Sequence, residues 1–188
     1  MDFRQFLKRL AIWVVPVVLF WYVLTPVYNV FLTSATNNLY RLTESPNETS
    51  VKRYDKHNLL IYRTDIQGRT STGHVGSIRV TDVQFNWLLT AMLFLAVPGV
   101  ALRERLRTLG WASLFLACFH LLLLFFFVKF WLATQMGGWS ASHFTPFWQN
   151  FWGLGKHLLD LPFKFAMPLV LWMACFYAQL RPKSFGQS

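Results

Sequence analysis

The sequence predicts an all-α membrane protein with four transmembrane helices and a small β-hairpin-containing extracytoplasmic loop. Hydrophobic residues make up 54% of the chain and charged residues only 14%, whereas a soluble domain carries about a quarter charged residues. The apolar residues fall in long runs, and a spanning helix needs about 20 predominantly apolar positions. Lys and Arg cluster at the ends of those runs, which is the pattern of a membrane protein rather than of a nucleic-acid-binding face. At 188 residues there is room for one small domain.

A cytoplasmic N-terminus, residues 1–9, places Arg4, Lys8 and Arg9 ahead of a first span over residues 10–32. A signal peptide has the same order of parts, but its apolar core is about 7–15 residues long. This run is longer, contains Trp13, Trp21, Tyr22 and Tyr28, and is interrupted by Pro16 and Pro26, so it is expected to be an uncleaved anchor. Residues 33–84 form an extracytoplasmic loop, in which residues 37–50 are rich in Asn, Thr, Ser, Glu and Pro, as loops are. Two strands are predicted there, Asn58–Asp65 and His74–Val83, joined by the turn sequence QGRTSTG. The second alternates Ile78, Val80 and Asp82 against Ser77, Arg79 and Thr81, the period of a half-buried strand. A lone hairpin is marginal in water, so it must lean on the helices, the loop or a partner.

The second span covers residues 85–102, is interrupted by Pro98-Gly99, and leads into a cytoplasmic loop, residues 103–108, holding Arg103, Arg105 and Arg107. The third span covers residues 109–133 and contains the dense run FHLLLLFFF. Residues 134–157 read as an extracytoplasmic interfacial segment, where Thr145 and Pro146 resemble an N-cap and a first helical residue. Trp148, Phe151, Trp152 and Leu154 suit a helix lying in the membrane interface. The fourth span, residues 158–180, precedes a cytoplasmic tail, residues 181–188, with Arg181 and Lys183. The basic clusters flanking the short segments then share one side, which puts both termini in the cytoplasm. Basic residues within 33–84 are diluted by Glu44, Glu48, Asp55, Asp65 and Asp82, and most lie away from the helix ends.

An ionisable residue inside a span is costly and marks a functional candidate. Lys129 lies near the outer end of the third span, and Asp160 and Lys164 lie in the first two turns of the fourth. At about 1.5 Å per residue the three fall at similar depth, and Asp160 and Lys164 share a helix face. With Lys156 and His157 at its mouth, this group is the candidate site for an anionic lipid headgroup or an acidic partner segment. The competing interpretation is that the lysines snorkel to water and one Asp–Lys pair lowers the insertion cost. His120 reads as a neutral histidine bonded to a neighbouring helix. Cys118 stands about 200° around the helix from it, so the two form no dyad on one face. Cys118 and Cys175 lack paired spacing and read as reduced packing residues without a metal. No hydrolase, metalloprotease or nucleotide-binding motif occurs, so no catalytic residue, metal or cofactor is assigned. The tryptophans read as an aromatic belt rather than a pigment or quinone site. Asn47-Glu48-Thr49 fits a glycosylation sequon, which matters only in a eukaryotic secretory setting. Gly153 and Gly155 are too close together for GxxxG packing.

The layout resembles the small membrane proteins that accompany bacterial exosortase systems, in particular the exosortase H-associated group. The resemblance is carried by Trp13-Val14-Val15-Pro16, Phe20-Trp21-Tyr22 and Thr25-Pro26 in the first span, Asn86 at the start of the second, and Met167-Pro168-Leu169-Val170-Leu171-Trp172 in the last. It implies a non-catalytic accessory or assembly subunit of a bacterial inner-membrane complex, linked to protein sorting at the envelope. Exosortases themselves are thought to use Cys, Arg and His near the outer face. Here both cysteines lie mid-membrane with no arginine beside them, so this chain is not expected to be the peptidase. The expected partners are membrane lipid and a larger membrane-protein complex, not nucleic acid. An intramembrane enzyme or lipid-handling protein using Lys129, Asp160 and Lys164 is the alternative, and a transporter is disfavoured by four short spans without an internal repeat.

Overall fold

A computed structural model describes residues 3–55, 57–66 and 73–180. In chain order the elements are α1 (Phe3–Thr43), β1 (Thr49–Arg53), β2 (Asn58–Arg63), β3 (His74–Arg79), α2 (Val80–Ala96), α3 (Leu102–Thr134), α4 (Gly138–His143) and α5 (Pro146–Leu158). A π-helical turn, Leu159–Phe163, carries α5 into α6 (Lys164–Leu180). Three helices are long and apolar enough to cross a membrane: α1, α3 and the run Pro146–Tyr177. The apolar α2 has 17 residues and is shorter than the usual spanning length. It stops at Ala96, ahead of Pro98 and of Gly99 with its positive φ of 77°, so the predicted span over residues 85–102 ends early. Most of the predicted turn QGRTSTG and the whole predicted tail, residues 181–188, lie outside the described residues.

Residues 33–43, predicted as loop, continue α1 as helix. The reason is a buried stripe of Thr25, Asn29, Leu32, Thr36 and Tyr40, whose three- and four-residue spacing is helical although most of its members are polar. The hydroxyls of Thr33 and Thr43 donate to the carbonyls four residues back, which satisfies them without leaving the helix. At 41 residues α1 is about 60 Å long, roughly twice a hydrocarbon core.

The chain folds as two compact units. Among the described residues, the first comprises 3–23, 85–116 and 163–180. In it α2 runs antiparallel to α1: Trp87 stacks with Phe20, Ala91 and Leu95 pack with Val17, Leu93 and Ala96 pack with Phe6, and Arg9 reaches the carbonyl of Val97. A further cluster joins Phe94, Val97, Ala112 and Phe176, and Trp87 Nε1 donates to Ser113 Oγ at 3.0 Å.

The second unit comprises, among the described residues, 24–55, 57–66, 73–84 and 117–162. Its sheet is an antiparallel meander in the order β1-β2-β3, so the predicted hairpin has a third strand. The second predicted strand ends at Arg79, and Val80 opens α2. Asp82 is therefore exposed in a helical first turn, where its charge favours the helix dipole. Val51, Leu59, Ile61 and Ile78 form the buried face of the sheet. Both outer strands are tied to helices. The Asn37 side chain accepts from Val51 N at 2.7 Å and donates to Val51 O at 2.9 Å, as a neighbouring strand would. Trp131 Nε1 donates to Val75 O at 2.6 Å. Side chains thus occupy groups that exposed edges leave open to strand addition.

Thr145 occupies the N-cap position of α5 with Pro146 in the first turn, as predicted, but its hydroxyl makes no capping bond. Helix α5 lies against α3, where Gly153 is 3.8 Å from the Phe130 ring by its would-be Cβ and Gly155 faces Phe126. The Phe126 ring is hemmed in by Trp152, Phe151 and Phe125. Gly155→Val would drive its side chain into that ring, an overpacking cost of about 1–3 kcal/mol. Its melting temperature in detergent should fall, and Phe126→Ala in the same chain should restore part of the loss.

Candidate functional site: a buried ion network behind the sheet

Strand periodicity places Arg63 on the same side of β2 as Leu59 and Ile61, so its side chain enters the interior. There it is almost fully committed. Arg63 Nε and Nη2 donate to the two carboxylate oxygens of Asp65 at 2.8 and 3.0 Å. Nη2 also donates to Glu48 at 2.6 Å, and Nη1 donates to Thr49 Oγ1 at 3.0 Å. Thr49 is the residue directly opposite Arg63 in the β1–β2 ladder. The guanidinium lies 4.7 Å from the Trp139 ring centroid, a cation–π contact that a planar guanidinium suits.

Glu44, just beyond the end of α1, extends the network to the helices. Its carboxylate is 3.9 Å from Arg63 Nη1, accepts from Lys129 Nζ of α3 at 2.7 Å, and accepts from the Thr49 backbone at 3.1 Å. Lys129 lies 5.2 Å from the Tyr40 ring centroid and 5.7 Å from that of Phe125, and Tyr40 Oη donates to the carbonyl of Phe125 at 3.1 Å. Two cations and three carboxylates thereby join the start of β1, the end of β2, α1 and α3. Both cations and Glu44 are at most 15% exposed at the side chain, so the network works in a poorly solvated place.

The carboxyl of Asp65 is held below its usual 3.8, chiefly by the Arg63 hydrogen bond. Burial alone would lower the Arg63 pKa, but Asp65, Glu44 and Glu48 outweigh it and raise that pKa, keeping the guanidinium charged. A carboxyl with a depressed folded pKa adds stability above its unfolded pKa and loses it as pH falls through the folded value. The contribution of Asp65 should therefore be complete at neutral pH and fade only below about pH 4. Melting temperature should drop over that interval more steeply in the native chain than in Asp65→Asn.

Deeper in the same unit, Tyr28 Oη and His120 Nδ1 are 2.7 Å apart, and the Gln84 side-chain amide donates to Asn29 Oδ1. His120, Asn29 and Gln84 are all buried. The predicted bond from His120 to another helix is thus present, on α1. Cys118 and Cys175 are free and exposed, so neither side chain is enclosed by the protein.

The predicted Lys129, Asp160, Lys164 group is distributed over different partners. Lys129 binds Glu44, while Lys156 Nζ lies 3.1 Å from Asp160 as an i,i+4 pair. Lys156 also faces the Phe127 and Phe130 rings at 4.6 and 5.6 Å, and His157 meets Phe130 edge-on. Lys164 falls in the other unit, is buried, and lies 5.5 Å from the Phe165 ring centroid. Sequence reasoning misses Arg63, Glu44, Glu48 and Asp65 as a group. The available signal is an arginine at the inward-facing parity of an otherwise apolar strand. Among the described residues no cluster of three or more His, Cys, Asp or Glu could hold a metal ion. No protein-family model, curated protein or solved structure matches the chain.

Proposed function

We propose that the chain is a non-catalytic accessory or assembly subunit of a bacterial cell-envelope membrane complex. An exosortase-linked sorting system is the setting implied by its resemblance. The observation that carries this reading is the contrast between committed charges and uncovered aromatics. The Arg63–Lys129 network ends on this chain's own side chains, which makes it a fastener for the sheet rather than a site open to substrate. Helix α5, by contrast, has no buried residue, and Phe147, Trp148, Phe151 and Leu154 are all exposed on it. Aromatic residues of this kind anchor protein contacts as well as membrane interfaces.

The topology within this proposal has four crossings, with both termini in the cytoplasm and the sheet outside, in the inner membrane. The antiparallel course of α2 along α1 supports counting α2 as a short, protein-enclosed crossing. Single cysteines replacing Tyr54 and Glu104, in a chain lacking Cys118 and Cys175, test it with a membrane-impermeant maleimide. Opposite-side labelling is expected, and same-side labelling would remove the fourth crossing.

A photo-crosslinking residue at Phe147 or Phe151 tests the accessory role. One protein adduct of discrete mass is expected. Adducts to lipid alone would reject that role and favour the second reading, lipid handling through Lys129, Asp160, Lys164, Lys156 and His157. That reading draws on an apolar recess of about 640 Å³ between α3 and α5, lined by residues including Phe130, Phe147, Phe151 and Leu154. The Lys156–Asp160 pair stands beside Phe130, one of its walls.

A further inference from the structure

Two arginines converge on the C-terminal end of α2 in the first unit. Arg9 Nη1 of α1 donates to the carbonyl of Val97 at 3.2 Å, and Arg105 Nη1 of α3 donates to that of Leu95. A helix C-terminus presents about half a negative charge, so one guanidinium already exceeds what it can balance. Two half-buried guanidiniums leave a positive excess at one spot. Neither forms an ion pair among the described residues, and the buried Nε of Arg105 has no hydrogen-bond partner among them. Glu104 in the first turn of α3 is exposed and takes part in no such pair. Lys8, Arg103 and Arg107 are exposed around this end and add to the excess.

The geometry points to a binding site for the phosphate of an anionic glycerophospholipid, held between Arg9 and Arg105 at the end of α2. The site lies where the apolar runs of α1 and α3 begin, which is the depth of a headgroup in a bilayer. Guanidinium pairs match phosphate oxygens in charge and in fork geometry. The acyl chains then run along the apolar surface that α1 leaves exposed at Ile12, Val15 and Leu19. This inference goes beyond the accessory reading and needs neither a protein partner nor a given orientation in the membrane.

The test uses the full chain in an uncharged detergent at about 150 mM salt, where exposed charges are largely screened. Dioleoyl phosphatidylglycerol or dioleoyl phosphatidylcholine is added, and retained lipid is counted by native mass spectrometry. The native chain should retain phosphatidylglycerol about tenfold more than phosphatidylcholine, two surface arginines' worth of attraction at most. Arg9→Gln with Arg105→Gln should abolish the preference, whereas Arg103→Gln with Arg107→Gln should change it less than about threefold. Because Arg9 and Arg105 also cap α2, hydrogen exchange on the native chain gives a variant-free readout. Phosphatidylglycerol should protect residues 95–105, and phosphatidylcholine should not. The proposal is overturned by an equal preference for both lipids, by equal loss in the two double variants, or by absence of protection at residues 95–105. Displacement of the lipid by millimolar inorganic phosphate would overturn the lipid assignment in favour of a free-anion site.

Discussion

Arg63→Met should destabilise the chain by about 3–5 kcal/mol, the usual cost of removing one partner from a buried ion network. The substitution strands Glu48 and Asp65 beside an uncharged thioether, their side chains 31% and 21% exposed, and leaves Glu44 with Lys129 as its one cation. The loss should appear as a lower melting temperature in detergent and as faster proteolysis within residues 44–79. Lysine should rescue only part of it, because an ammonium cannot reproduce the fork that reaches Asp65 twice while also reaching Glu48 and Thr49. Neutralising Glu48 and Asp65 together with Arg63, as Glu48→Gln and Asp65→Asn, while Glu44 keeps Lys129, should recover much of the stability, since the cost comes from unpaired charge. An Arg63→Met chain within about 0.5 kcal/mol of the native protein would show that water reaches the network freely.

Gly76→Val should be nearly as damaging. Gly76 pairs with Ile61 in the β2–β3 register, and a Cβ added there would sit on the Trp131 indole. Trp131 cannot simply swing aside, because its Nε1–H is spent on the carbonyl of Val75. Valine raises strand propensity, so a scale of local preferences expects stabilisation. Displacing the indole instead adds an overpacking cost of about 1–3 kcal/mol to a lost hydrogen bond of about 1 kcal/mol. Melting temperature and the burial of tryptophan fluorescence should both fall. Trp131→Ala should make the same Gly76→Val change nearly neutral, which separates a clash from a loss of backbone freedom.

Hydropathy makes the helices legible but not their ends. The apolar runs mark α1, α3 and the run Pro146–Tyr177 as long and apolar enough to cross a membrane, where an unpaired backbone must be helical. The continuation of α1 to Thr43 is hidden, since its inward stripe uses Thr25, Asn29, Thr36 and Tyr40 and so reads as polar chain. The β1 strand is hidden for a related reason. Thr49–Arg53 has no strong apolar alternation, and its pairing is secured by Asn37, which is distant in sequence. The lysines inside the apolar runs are visible as costly residues, but their partners are not. Depth along ideal helices places Lys129 with Asp160, whereas the long α1 brings Glu44 to Lys129. In the sequence Glu44 reads only as dilution of loop charge, and Arg63 only as one of several loop cations. A strand's parity is the one local clue that Arg63 points inward.

Purification of the tagged full chain from its native membrane in a mild detergent, with mass spectrometry of protein and lipid, bears most directly on the accessory role. One other envelope protein at fixed stoichiometry is expected, and Phe147→Asp with Phe151→Asp should release it while the sheet stays folded. A solitary monomer that carries only lipid would contradict the accessory role and leave the aromatic face of α5 as a membrane contact.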